Sequence, residues 1–126
     1  MAKFKEKVVE IVRLIPYGKV ASYGQVALFV GTPRAAIQVG SVLNKLEDSV
    51  QIPWWRVINN SGRISIKGSS YTPWDQKERL ESEGIKVKEN LDLDIEKYRW
   101  RPNGKVILSL KLSDGVIEKI LGKYLT

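Results

Sequence analysis

The chain has 126 residues, 43% hydrophobic and 28% charged, which is enough for one hydrophobic core and short for two. Its 21 Lys and Arg outnumber 14 Asp and Glu, and the net charge of +7 points to a polyanionic partner, nucleic acid first. With no cysteine and no histidine there is no thiol nucleophile, no disulfide and no usual zinc ligand set, and the side chain that most often moves protons near neutrality is missing. Catalysis, if any, falls to carboxylates, Lys, Tyr or Ser.

No apolar run approaches the roughly 18 residues that span a bilayer, and residues 1–13 read as a charged helix, not a signal peptide. The expectation is a soluble protein of the cytoplasm, or of the nucleus in a eukaryote, with no membrane partner. Phe4, Val8, Ile11, Val12 and Ile15 recur at three- and four-residue steps, an amphipathic helix that Ile15-Pro16 ends. After the turn Tyr17-Gly18-Lys19, Ser22 is placed to cap a second helix and Gly31 to close it at positive φ. Thr32 then reads as the cap of a third helix with Pro33 at its first position, running through Val39, Val42, Leu43 and Leu46. Two helices joined this tightly form a helix-turn-helix.

Past Glu47-Asp48-Ser49 the period changes. Val57-Ile58, the turn Asn59-Asn60-Ser61-Gly62 and residues 63–66 predict a β-hairpin wing. Thr72-Pro73 opens a helix over 73–83, ended by Gly84. Val87 and 95–100 read as short edge strands or extended segments, 106–112 as a strand and 115–125 as a terminal helix. The fold class is α+β: a mainly α winged helix-turn-helix domain over 1–102 and a short extension over 103–126, which covers the domain or docks a partner.

Between Arg13 and Lys67 there are seven basic residues and two acidic ones, so this stretch holds a surplus of five out of the chain's seven. Cations at phosphate spacing release counterions and give a salt-dependent, sequence-independent affinity. Within it, the third helix carries Ala36 and Gly40 four apart, hence on one face. Few of its positions offer the Arg, Asn or Gln that read bases in the major groove. A smooth face suits a narrow groove, with Ile37 free to wedge between base steps, and it equally suits close packing against another helix. Ile52-Pro53-Trp54-Trp55-Arg56-Val57 is the least ordinary segment. Read as the lead into a strand, its two indoles alternate faces, so one lines a surface or cavity where an extruded base can stack, while Arg56 bonds phosphate or braces the loop. The alternative is that both indoles fill gaps between the helical half and the wing.

The segments Ile15-Pro-Tyr-Gly-Lys-Val, Ser22-Tyr-Gly-Gln-Val-Ala, Gly31-Thr-Pro-Arg-Ala-Ala-Ile-Gln-Val-Gly and Ile52-Pro-Trp-Trp-Arg-Val-Ile-Asn resemble, in order and spacing, the DNA-binding domain of O6-alkylguanine-DNA alkyltransferases. The resemblance spans about residues 4–102. In that family the last segment reads Pro-Cys-His-Arg-Val, and its Cys takes the alkyl group from a flipped guanine. Trp54 stands here at the Cys and Trp55 at the His, while Glu83 matches the acid of the proton relay. The resemblance therefore implies a non-enzymatic alkyltransferase-like protein, a monomer without cofactor or metal. Such a protein binds O6-alkylguanine in double-stranded DNA, flips the nucleotide into a pocket without dealkylating it, and passes it to nucleotide excision repair proteins.

By the same resemblance, Tyr23 pushes on the lesion's phosphate, and Ala35, Ala36 and Gly40 enter the minor groove. Trp54 stands at the pocket, Trp55 in place of the usual His either enlarges or blocks it, and Lys67 sits where relatives hold Tyr or Arg near the alkylated oxygen. Ile37 replaces the arginine finger that fills the gap left by the flipped base; an aliphatic side chain fills that gap but cannot pair with the orphaned cytosine. Arg34, almost one turn earlier, reaches toward phosphate. Two other classes stay open: a sequence-specific helix-turn-helix regulator, and an enzyme such as a glycosylase using Asp or Lys. Asp92, Asp94 and Glu96 lack the spacing of a calcium loop and read as a solvated face. Asp75, Glu78, Glu81 and Glu83, mixed with Lys77 and Arg79, read as surface pairs on one helix.

Overall fold

The computed structural model describes residues 2–47, 49–66 and 70–124. Helix α1 (Ala2–Leu14) buries Val8, Ile11 and Val12, with Ile15 just beyond its end. Strand β1 (Ala21–Ser22) leads straight into α2 (Tyr23–Val30), whose first turn is capped by the Ser22 hydroxyl accepting the Gln25 N–H at 3.0 Å. Gly31 closes α2 at φ +96°, and its N–H returns to the carbonyls of Ala27 and Leu28. Every residue from Gln25 to Val30 is buried, so α2 is the central helix of the fold. It packs on α1 and on α3 (Ala36–Asn44), and the two form the expected helix-turn-helix.

The third helix starts later than its sequence suggests. Thr32 to Ala35 form a turn, closed by the Ala35 N–H on the Thr32 carbonyl at 3.0 Å, and α3 begins at Ala36 with no side-chain cap. Pro33 thus serves the turn and not the first position of the helix. Trp54–Arg56 is one turn of 3-10 helix, after which β2 (Val57–Ile58) pairs in parallel with β1, Ala21 opposite Val57 and Ser22 opposite Ile58. This two-stranded ladder draws the start of α2 and the tryptophan segment side by side.

The predicted hairpin wing is not formed. The Asn59 side-chain oxygen gathers the Ser61 N–H, the Ser61 hydroxyl and the Arg63 N–H into a tight turn, but the chain beyond it leaves β2. It pairs instead with residues 91–93, through Ile64 N–H to the Leu91 carbonyl, Leu93 N–H to the Gly62 carbonyl and an antiparallel bridge between Arg63 and Asp92. Arg63 and Asp92 also form an ion pair at 2.9 Å. The turn forms at the expected residues, and the segment after it pairs with a stretch remote in sequence.

Helix α4 (Pro73–Ser82) opens as expected on a capping box of Thr72 and Asp75. The segment read as extended contains a single helical turn, α5 (Ile95–Tyr98), because the Asp94 carboxylate caps the Lys97 N–H at 3.2 Å. Only its exit is strand-like, with Trp100 N–H on the Val20 carbonyl at 2.7 Å. Asp92 is thus an ion-pair partner, Asp94 a cap, and Glu96 a partner of Arg99 and Arg101; among the described residues no acidic group of three is placed to hold a metal.

The predicted strand at 106–112 is also replaced, by α6 (Gly104–Ser109). Its β-branched residues favour a strand, but the Asn103 side chain caps the Val106 N–H at 3.0 Å. Burial then follows a helix, with Ile107 inside and Leu108 outside. The terminal helix α7 (Asp114–Tyr124) adds Ile120 to the core shared by α1 and α2, and Tyr124 meets the edge of Phe29 at 5.8 Å. Among the described residues no helix is long and apolar enough to cross a membrane.

Gly62 is the tightest point of this framework. It sits at φ +90°, and a Cβ there would lie 2.5 Å from the Leu93 carbonyl oxygen. Gly62→Ala is expected to destabilise the protein by about 2 kcal/mol in urea unfolding, while Gly115→Ala, in open space on α7, changes stability little.

Candidate functional site

The β1–β2 pairing creates two adjoining surfaces that share α3 as a wall. The first is a groove of about 710 Å³ between the outer face of α3, Tyr23 and the Asn59-Asn60 turn. Tyr23 is the first residue of α2. Its ring lies along Gly40, where an added Cβ would sit 3.7 Å from Cε1, and burial pushes its phenol pKa up, so the hydroxyl stays a donor at neutral pH. Gly24 admits the Asn60 amide, whose Oδ1 would be 3.0 Å from an added Cβ.

Ala36 and Gly40 both line this groove, and Gly40 also gives the Tyr23 ring of α2 room to lie against α3. Ile37 stands at the rim with 86% of its surface exposed, the most exposed of the large apolar side chains among the described residues. Arg34 is exposed on the turn ahead of α3, and Ala35 packs partly against the core; neither lines the groove. Lys67 lies outside the described residues.

The second surface is a cavity of about 530 Å³ beside the tryptophans. Because Trp54 and Trp55 sit on a 3-10 turn, the alternation expected of a strand does not apply. Both indoles are half-buried and both line the cavity, Trp55 edge-on to Trp54 with centroids 5.9 Å apart. Trp54 is also stacked on Tyr71, at 4.6 Å and 28°. Leu43, Leu46, Val50, Ile52 and Pro53 supply apolar lining, and Arg13 and Arg79 line the same cavity.

Glu83 holds the tryptophan turn in place. Its side chain is 4% exposed, so it is no surface residue, contrary to the pairing expected on α4. It accepts the Trp55 indole N–H at 2.8 Å, the Gly18 N–H at 2.9 Å, and the Arg56 guanidinium at 2.7 to 3.1 Å. Arg56 gives its remaining terminal nitrogen to the Ile15 carbonyl at 2.8 Å, which makes it the brace of the loop. Burial alone would raise the Glu83 pKa, but the hydrogen bonds from Arg56, Gly18 and Trp55 and the Arg56 charge outweigh it and hold the carboxyl below its ordinary value.

The chemistry open to this arrangement is narrow. The Trp55 indole N–H donates to Glu83, and an indole has no second nitrogen to accept a proton. Trp54 has no lone pair fit to attack carbon, and the chain has no sulfur nucleophile. The arrangement can stack, exclude water and hold an oriented aromatic guest. Sequence reasoning missed Tyr71 and Arg79. The charge alternation along α4 disguised an arginine that faces aromatic rings, and no local spacing marks a cation–aromatic contact.

Replacing Glu83 by Gln leaves Arg56 without its buried counter-charge, with an expected loss of about 3 kcal/mol at pH 7. A depressed folded pKa makes the ionic contribution complete above the ordinary carboxyl value of about 4.3 and lost as pH falls through the lower folded value. The gap between wild type and Glu83→Gln, measured by denaturation, should therefore close below about pH 4.

The sequence and the fold are similar to those of known proteins. Residues 3–85 match the family model of the 6-O-methylguanine DNA methyltransferase DNA-binding domain. A DNA base-flipping protein of Vibrio parahaemolyticus is 40% identical over 102 residues, covering 81% of this chain and all of that protein. Alkyltransferase-like protein 1 of Schizosaccharomyces pombe is 41% identical over 106 residues, covering 81% and 98%. The solved structure of S. pombe Atl1 in complex with damaged DNA containing O6-carboxymethylguanine superposes with a TM-score of 0.76 at 40% identity, over 81% of this chain and 98% of that one. The chain therefore belongs to the alkyltransferase-like proteins, within the family built on the 6-O-methylguanine DNA methyltransferase DNA-binding domain.

Proposed function

We propose that this protein binds duplex DNA carrying an O6-alkylated guanine, turns the damaged nucleotide out of the helix, and holds it in the cavity beside Trp54 with its alkyl group in place. The observation that carries the reading is the pair of half-buried indoles fronting a cavity of about 530 Å³, within the size range of small-molecule sites, at the position where the enzymes of the family hold a nucleophilic sulfur. The relatives' names support it: one is a base-flipping protein, and another was solved on damaged DNA.

In this reading the groove on α3 takes the minor groove of the duplex, with Ala36 and Gly40 admitting the backbone closely. Tyr23, at the start of α2 where backbone amides point outward, donates its hydroxyl to the phosphate of the lesion and helps rotate the nucleotide. Ile37 enters the vacated stack, Arg34 and Lys67 contact the backbone and the lesion, and Arg56 acts through the loop it braces. Ala35 sets the start of α3. A protein that keeps the base intact leaves removal to others, and nucleotide excision repair proteins are the partners that follow. The small outward face of α3 counts against a sequence-reading regulator.

Competition titration of methylated against unmodified duplex at two salt concentrations tests the reading. Both affinities should fall with salt through the phosphate contacts while the preference for the lesion persists; equal affinity for the two duplexes would contradict it. Tyr23→Phe, which keeps the ring against Gly40, should weaken lesion binding about tenfold or more, the value of a hydrogen bond to a charged group. Unchanged affinity would remove Tyr23 from the flipping step. Ile37→Arg should make binding depend on the base opposite the lesion, cytosine over thymine, where the wild type is indifferent; a drop in binding to every duplex would mean that the wedge must be apolar.

A further inference from the structure

Arg79 is held in an aromatic cage. Its guanidinium carbon lies 5.4 Å from the ring centre of Trp54, 5.0 Å from Trp55 and 5.1 Å from Tyr71, so three π faces fix one cation at the wall of the cavity. A guanidinium carries five N–H donors, and none of Arg79's makes a hydrogen bond or ion pair to another described residue. Asp75, one turn earlier on α4, feels its charge, but that carboxylate is engaged by the Thr72 N–H and hydroxyl. Arg56, the other arginine at the tryptophan turn, is held by Glu83 and the Ile15 carbonyl through all three of its nitrogens.

The rest of the cavity has the same bias. Among the described residues its lining includes Arg13, Arg56 and Arg79 against the single carboxylate of Glu47, next to an apolar wall of Leu43, Leu46, Val50, Ile52 and Pro53. Its volume leaves room beyond a purine for a substituent of several heavy atoms. Apolar lining together with a caged guanidinium that has no hydrogen-bond or ion-pair partner among the described residues complements a short carbon chain that ends in a carboxylate, for which Arg offers two parallel N–H donors. A methyl adduct uses none of these donors.

We infer that the cavity favours O6 adducts that end in a carboxylate, and that Arg79, caged by Trp54, Trp55 and Tyr71, is the residue that reads the charge. The inference rests on the lesion-binding reading above and names the adduct class that the same cavity prefers. Arg79 acts on the free end of the adduct, so its effect is a discrimination between lesions, distinct from the recognition of damage as such.

The test compares duplexes containing O6-methylguanine, O6-carboxymethylguanine and its neutral isostere O6-carbamoylmethylguanine against unmodified duplex, at one salt concentration. The carboxymethyl and carbamoylmethyl adducts differ in charge and scarcely in size. The wild type should bind the carboxymethyl duplex about tenfold more tightly than the carbamoylmethyl duplex, the effect of one charge-assisted hydrogen bond. Arg79→Met, which keeps an apolar stem under the rings, should bring that ratio to within about twofold of unity, and Arg79→Lys should keep most of it. A wild-type ratio near one overturns the inference, as does a ratio that survives in Arg79→Met. Should the Met variant not fold, Arg79→Gln is read the same way, and the wild-type ratio alone still decides whether the cavity selects charge. Preference for all three adducts over unmodified duplex without a charge preference refutes only this inference. Absence of any preference for damage refutes the lesion-binding reading itself.

Discussion

Glu83 accepts hydrogen bonds from the Gly18 backbone ahead of β1, from the indole of Trp55 and from the guanidinium of Arg56, and so ties the turn after α1, the tryptophan segment and the end of α4 to one buried carboxylate. Arg56 extends the tie to the Ile15 carbonyl at the end of α1. These connections hold the 3-10 turn in place, with Trp55 packed against the smaller core cluster and both indoles lining the cavity. A buried ion pair is weak support for stability in general, since desolvation offsets much of its attraction. Here its effect is positional: it fixes where Trp54 and Trp55 stand relative to α3.

The same hub explains how a fold suited to group transfer is suited here to holding a guest. Transfer needs a nucleophile, a base to activate it and a third group to orient the base. The orienting carboxylate is present in Glu83, but both positions it would serve carry indoles. An indole keeps the donor that Glu83 requires, so the loop geometry survives, while the proton-accepting function is gone. The cavity carries aromatic area instead, and a base stacked on such area gains about 1–3 kcal/mol per contact. Tyr71 and Arg79 extend that aromatic and cationic surface toward α4.

The helical half was legible because its signals are local. Ser22 and Gly31 bracket α2, Thr72 and Asp75 open α4, and the 3.6-residue spacing of Val8, Ile11 and Val12 marks the buried face of α1. The failures share a cause. Residues 63–66 pair with 91–93 and not with β2, α5 forms around the Asp94 cap, and α6 overrides β-branched residues through the Asn103 cap and the burial of Ile107. In each case a cap or a distant partner outweighed intrinsic preference. At the site, Tyr23 stands out only through the family resemblance, whereas Ile37 and the paired tryptophans also stand out by residue type and position. Arg79 and Tyr71 were not, because a cation–aromatic cage assembled from a loop, a 3-10 turn and a helix has no spacing of its own.

The central claim is that an aromatic ring at the place of the sulfur leaves the lesion chemically unaltered while it is bound. It is tested most directly by incubating a methylated duplex with excess protein for hours under conditions of full complex formation, digesting the DNA, and measuring the bases and the intact protein by mass spectrometry. Quantitative recovery of O6-methylguanine with an unchanged protein mass is the expected result. Appearance of guanine with a methylated protein, or of an abasic site, would contradict it.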